Sequence, residues 1–238
     1  MRRGSEEPRP FFSSLYLKDI KLYDRIKKNK DAASVAEQRK RKMRIILASK
    51  SPRRRELLGT LAREWGFEFE IITEPTDECL YAEAPETGVG TLAVRKGAAV
   101  AALHPDALII SSDTLVDLDG TPLGKPEDAR EATEMLNQLS GRSHFVHTGI
   151  AVHYRGSVFS GVATTAVEFR ALEEGEIREY VLSGEPMDKA GAYGIQGAAG
   201  AFVKGIDGEF DTVVGFNLTL LRRLMKEAAP VEFGGKDD

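Results

Sequence analysis

The chain of 238 residues contains a single cysteine, Cys79. One thiol can form neither an internal disulfide framework nor a multi-cysteine zinc site, and it suits a reducing compartment. No apolar run approaches the roughly 20 residues that span a bilayer. The N-terminus lacks the apolar block of a secretory signal. Patterns for a nucleophile elbow (G-x-S-x-G), a zinc protease helix (H-E-x-x-H) and a P-loop are all missing. His144 and His147 lie three apart on a strand pattern, so they face opposite sides and cannot readily share one metal. These absences leave the expectation of a soluble, cytoplasmic protein with no membrane partner.

Charge is unevenly spread. The whole chain carries a formal -4, yet residues 1–42 hold 13 Lys+Arg against 6 Asp+Glu. A basic tail can bind nucleic acid or anionic membrane. This one is polar, has no steady apolar period and ends just before "MRIILAS", so it reads as a poorly ordered or helical extension that is non-essential or reflects an upstream start. No specific nucleic-acid partner is expected. The domain is placed at 43–229, followed by a short tail over 230–238.

From Met43 the signals alternate between strand and helix. "RIILA" reads as a buried strand, and Ser51-Pro52 as an N-cap with proline at the first helical position. "FEFEII" reads as a half-buried strand, "TLAVRKGAAVAAL" as a helix, and "ALIIS" as a second buried strand followed by a hairpin around Asp119-Gly120. "EDAREATEMLNQLSG" predicts a helix closed by Gly141, and "HFVHTGIAVHY-RG-VFSGVATTAVEFR" two long antiparallel strands. "EEGEIREYVLSGEP" predicts a helix, "AFVKGI" and "FDTVVGF" short strands, and "NLTLLRRLMKEA" a last helix. The sum is a single α/β domain whose mixed, twisted sheet is flanked by helices.

Three stretches carry chemistry. "ASKSPRRRELL" places hydroxyls and three arginines where a strand feeds a helix, a natural anion site that is otherwise a solvated face. "ALIISSDT" delivers Asp113 to the carboxyl end of a strand, where it can bind a divalent cation, accept a proton from water, or simply cap a turn. "GEPMDKAGAYGIQGAAGAF" repeats Gly191, Gly194, Gly197 and Gly200 at intervals of three around Gln196, whose amide can read a base edge.

Taken in order, "LASKSPRRRELL", "TDE", "AVRKGAAV", "SDT", "GKP", "LSG", "HTGIAV" and "SGEPMDKAGAYGIQGAAGAFV…GEFDTVVGFNL" resemble the Maf family of nucleoside triphosphate pyrophosphatases, from about Met43 to Leu224. The resemblance implies an inosine-triphosphatase-like α/β fold and a divalent-metal-dependent cleavage of a nucleotide between its α and β phosphates. Mg²⁺ or Mn²⁺ would be the metal, held by Glu78 and Asp113. Asp113 would also be the proton acceptor. Ser49, Arg53 and Arg54 would hold phosphates, and Lys96, Lys125 and Lys189 would neutralise them; Arg55 would be solvated. Arg53, Thr114 and Gln196 match the branch acting on dTTP and UTP rather than the 7-methyl-GTP branch. A pyrophosphatase of broader or 7-methyl-GTP specificity and a nucleotide-binding regulator of cell division are the alternatives. A homodimer is the assembly the resemblance suggests. One departure is Phe216-Asn217, where the family usually has Leu-Pro.

Overall fold

Ile45, Ile46 and Leu47 form strand β1 (Ile45–Leu47), and all three side chains are buried. A strand covered on both faces belongs inside a parallel sheet. β1 indeed lies between β2 (Glu70–Ile71) and β3 (Leu108–Leu118), parallel to both, with Ile46 opposite Glu70 on one side and Ile109 on the other. The computed structural model describes residues 43–77 and 84–236, so the expected extension over 1–42 and Glu78 lie outside the described residues.

Beyond β3 the sheet becomes antiparallel. β5 (Ser143–Tyr154) and β6 (Ser157–Phe169) pair along their whole length, β7 (Val203–Asp207) closes the far edge, and the described strand order is β2-β1-β3-β5-β6-β7. β4 (Thr121–Leu123) folds back on β3. Both hairpins turn on residues with positive φ: Asp119 at 54° with Gly120 at 80°, and Arg155 at 50° with Gly156 at 78°. Two left-handed residues match the right-handed twist of the flanking strands, as the "DG" and "RG" pairs predict.

Helices cover both faces. α1 (Pro52–Trp65) begins at Ser51, whose Oγ accepts from the Arg54 N–H, and ends at Gly66 with φ 72°. α2 (Pro85–Ala101) lies on the face carrying Ser111 and Gly149; the Ser111 hydroxyl donates to the Ala93 carbonyl at 2.7 Å. The opposite face packs against α3 (Ala129–Leu139) and α4 (Glu174–Leu182) through Val116, Val146, Leu136, Phe169, Tyr180 and Phe202. Phe169 sits edge-on to Tyr193 with ring centroids 4.8 Å apart. α6 (Leu218–Ala228) lies against β6 on that same side, with Leu220 over Gly161.

Two expectations are corrected. "FDTVVGF" is not a strand but a short helix, α5 (Phe210–Val214), ended by Gly215 with φ 106°. The Gly215 N–H bonds the Asp211 and Thr212 carbonyls, and the Asp211 carboxylate accepts the Leu218 N–H at 2.7 Å. Local capping thus satisfies this backbone without a sheet ladder. Likewise "ALIIS" and the first hairpin arm are one strand of 11 residues, β3, so Asp113 lies in its interior.

Gly149 fixes how closely α2 approaches. A Cβ there would fall 2.5 Å from the Val89 carbonyl oxygen, a backbone atom that cannot step aside alone. Gly149 also pairs directly with Asp113. Gly149→Ala is expected to destabilise the protein by about 1–3 kcal/mol through this overpacking, read by urea unfolding; unchanged stability would mean α2 shifts at no cost.

Candidate active site

β1 stops at Leu47, opposite Ile110, and β4 begins to pair only at Val116. Between those points β3 has one open edge, at Ser112 and Thr114. A cleft of ≈ 1110 Å³ occupies this gap. Its walls are the β1–α1 junction, α2, the "LGKP" turn and the glycine-rich segment that follows α4. Among the described lining residues six are cations (Lys50, Arg53, Arg54, Lys96, Lys125, Lys189) and four are carboxylates (Glu74, Asp113, Glu185, Asp188), so the surplus favours a polyanion. The N-terminus of α1 also faces the cleft, with no acid in its first turn to occupy the dipole.

The structure brings together Ser49, Arg53, Arg54, Lys96, Asp113, Thr114, Lys125, Lys189 and Gln196; all line the cleft. Glu78 lies outside the described residues. Arg55 is exposed and away from the lining.

Asp113 and Lys96 meet at the floor. Lys96 Nζ donates to Asp113 Oδ1 at 2.5 Å, with both side chains largely shielded, at 17% and 13% exposure. α2 supplies the lysine and β3 the carboxylate, so helix packing on Gly149 sets their distance.

The neighbouring arginines have separate duties. Arg54 turns inward: Nη1 donates to the Ser112 carbonyl at 2.6 Å and to Ser49 Oγ at 3.4 Å, Nε to the Gly215 carbonyl at 2.9 Å, and Nη2 to Thr114 Oγ1 at 3.0 Å. It fastens three chain segments together. Arg53 points across the cleft instead, 3.9 Å from Asp188 Oδ2. Asp188 Oδ1 accepts from Lys189 Nζ at 2.6 Å. The Lys189 hydrogen bond, aided by Arg53, holds the Asp188 carboxyl below the usual carboxylate range. Lys125 and Gln196 have no hydrogen-bond or ion-pair partner among the described residues, and Gln196 is exposed at the rim.

The glycine-rich segment is tied down from behind. The Gly191 N–H donates to the Gly124 carbonyl at 2.9 Å, which joins it to the "LGKP" turn. Tyr193 is buried and its hydroxyl meets His144 Nε2 at 2.8 Å. His144 Nδ1 is buried without a partner among the described residues, which suits a neutral ring whose Nε2–H donates to the tyrosine. His147 lies on the other face, bonding Thr164 Oγ1 at 2.9 Å and Asp117 Oδ2 at 3.4 Å, so the two histidines do stand apart.

Glu74, Asp188, Glu185 and Tyr193 also line the cleft and are not among the site residues expected from the sequence. The last three sit inside a motif already singled out for its lysine, glutamine and glycines. Carboxylates interleaved with cations in a single segment were the signal available.

The family described as Maf-like protein matches residues 44–228, and the chain belongs to it. A dTTP/UTP pyrophosphatase of Deinococcus radiodurans is 45% identical over 195 residues, covering 80% of this chain and 96% of that protein. One of Pelotomaculum thermopropionicum is 49% identical over 186 residues (77% and 95%), and one of Bacillus velezensis 48% over 187 residues (77% and 96%).

Burial pushes the His144 imidazole down to about 4. An unfolded histidine protonates near 6.5. As pH falls through this window the unfolded state takes up the proton first, so stability present above about 6.5 declines toward 4, by about 3 kcal/mol. Urea unfolding across that range should show a shallower decline for His144→Gln than for the unaltered protein. Parallel curves would mean another group controls acid stability.

Proposed function

We propose that this protein is a nucleoside triphosphate pyrophosphatase that hydrolyses dTTP and UTP to the monophosphate and pyrophosphate, acting on the cytoplasmic nucleotide pool. The observation that carries the reading is the Lys96–Asp113 pair at the floor of a cation-rich cleft, in a chain whose 45–49% identical relatives bear that name. A triphosphate is about fourfold anionic, and phosphoryl transfer is catalysed chiefly by positioning and charge neutralisation.

In the proposed reaction the triphosphate lies along the N-terminus of α1, with Arg53, Lys125 and Lys189 on its phosphate oxygens. Arg53 and Lys189 exchange the Asp188 carboxylate for phosphate. Asp113 accepts a proton from the attacking water. Oxygen attack at the α-phosphorus breaks its bond to the bridging oxygen, whose electron pair leaves with pyrophosphate. Lys96 keeps Asp113 oriented and neutralises charge beside it. Arg54 acts one step back, holding Ser49, Thr114 and the Gly215 turn in register.

The donor chemistry suits a hard cation. Asp113 and Glu74 offer oxygen ligands, while the described residues contain no cluster of three or more His, Cys, Asp or Glu at ligand spacing. Mg²⁺ commonly binds through one or two carboxylates and completes its shell with substrate phosphates. Asp113 and Glu78 would hold Mg²⁺ or Mn²⁺, and the bound cation would neutralise charge on the phosphate oxygens.

With Mg²⁺ and a panel of dTTP, UTP, CTP, GTP and 7-methyl-GTP, pyrophosphate is expected fastest from dTTP and UTP. Release of single phosphates would sink the proposed bond cleavage. Asp113→Asn should lower kcat by roughly 10²–10⁴-fold while nucleotide still binds; near-normal turnover would remove Asp113 as the base. The two arginines should separate as well. Arg53→Ala is expected chiefly to raise KM, whereas Arg54→Ala, which leaves the Ser112 carbonyl without its donor, should also lower the unfolding midpoint. Identical profiles for the two variants would contradict their division of labour.

A further inference from the structure

Gln196 alone cannot separate uracil from cytosine. Its amide presents a donor on one side and an acceptor on the other, and half a turn exchanges them. An amide that donates to O4 of uracil can turn and accept from the N4 amino group of cytosine. Discrimination needs a second group whose hydrogen-bonding sense is fixed.

Glu185 supplies such a group. It lines the same cleft, and an ionised carboxylate only accepts. Two donors set its orientation: the Tyr180 hydroxyl to Oε1 at 3.1 Å and the Ala198 N–H to Oε2 at 3.3 Å. Ala198 lies two residues beyond Gln196, so the carboxylate is anchored to the loop that carries the amide. It also lies directly against the intervening residue, since a Cβ on Gly197 would collide with both of its oxygens. Burial pushes the Tyr180 phenol far above its ordinary range, so that hydroxyl remains a donor. Each carboxylate oxygen has about two acceptor positions, and one bond to each leaves spare acceptor capacity on a residue that lines the cleft. Lys189 Nζ donates to the backbone carbonyl of Glu185 at 2.7 Å rather than to its carboxylate.

We infer that Glu185 is a specificity-determining residue: its carboxylate accepts the N3–H of uracil or thymine while the Gln196 amide donates to O4. The inference rests on the pyrimidine triphosphate reading given above. Cytosine carries a lone pair at N3, which would face the carboxylate and be repelled. The fixed sense of Glu185 also determines which way the Gln196 amide turns, so the two groups together read the edge that neither reads alone.

The test uses the full chain with Mg²⁺ and measures turnover and binding side by side. Pyrophosphate release is followed from UTP, dTTP, CTP and N3-methyl-UTP, and calorimetry follows binding of the α,β-imido analogues of UTP, CTP and N3-methyl-UTP. The unaltered protein is expected to prefer UTP to both CTP and N3-methyl-UTP, which lacks the donor. Glu185→Gln should lose roughly 10- to 100-fold on UTP, as expected for one charge-assisted hydrogen bond. Its own amide can donate to N3 of cytosine, so the UTP:CTP ratio should narrow or reverse. Tyr180→Phe, which keeps the carboxylate and removes one of its anchors, should narrow the ratio by a smaller factor. A uniform loss on every nucleotide in Glu185→Gln, with the ratio preserved, would overturn the inference and leave Glu185 a brace of the loop. Equal handling of UTP and N3-methyl-UTP by the unaltered protein would overturn it too, without needing any variant to fold. Preferential binding of the UTP analogue without pyrophosphate release would defeat the pyrophosphatase reading while sustaining this one.

Discussion

The arrangement of the cleft depends on how one open stretch of sheet edge is satisfied. β1 ends with the Ala48 N–H on the Ile110 carbonyl at 2.7 Å, and the next carbonyl along that edge, at Ser112, has no strand beside it. A buried carbonyl left unpaired costs about 1–3 kcal/mol. Arg54 fills the gap from α1 with a 2.6 Å bond, and the same guanidinium reaches the Gly215 carbonyl and Thr114. A continued β1 would have covered Ser112 and closed the cleft. A side chain satisfies the edge at one point only, and leaves room beside it for a ligand.

Exposure decides which of the cleft's ion pairs yields to an anion. Asp188 is 69% exposed, and its pairs with Arg53 and Lys189 therefore lie in the range of surface bridges, worth at most about 1 kcal/mol. Phosphate oxygens can displace that carboxylate at little cost. Lys96 and Asp113 are shielded by α2 and β3, where the local dielectric is lower and the attraction is greater. Opening that pair costs more, so its geometry persists while the rim rearranges. The cleft thus combines exchangeable contacts at its mouth with a fixed pair at its floor.

Local chemistry was legible in the sequence wherever a single short stretch determines it. Ser51-Pro52 starts α1, "DG" and "RG" turn the hairpins, and Asn217 caps α6 by accepting the Leu220 N–H at 2.6 Å. The "FDTVVGF" segment misled because β-branched residues favour strands, whereas its outcome was set by Gly215 and by Asp211 capping the following helix. β3 was divided because Ser112 and Asp113 look like a turn; with Ser111 they are polar because the Ala93 carbonyl, the Gly215 carbonyl and Lys96 meet their side chains there. The inward role of Arg54 was not legible, since its acceptors at Ser112 and Gly215 are backbone carbonyls far along the chain. Every residue has such a carbonyl, so no side-chain pattern marks the ones that will be left open.

That dependence on carbonyls also accounts for the Phe216-Asn217 departure. The Gly215 carbonyl accepts from Arg54 and from the Ser112 hydroxyl, so the turn at 215–217 must hold its place. In the usual family pattern a proline restricts this backbone through its ring. Here Asn217 holds the turn by hydrogen bonds, capping α6 and donating to Thr212 Oγ1 at 2.8 Å and to Glu209, while Phe216 is fully buried. In this chain side-chain capping is the means of presenting one carbonyl to one arginine. What the cleft requires of positions 216 and 217 is the place of the Gly215 carbonyl, which here depends on the Asn217 side-chain bonds and on Phe216 filling the core beside them.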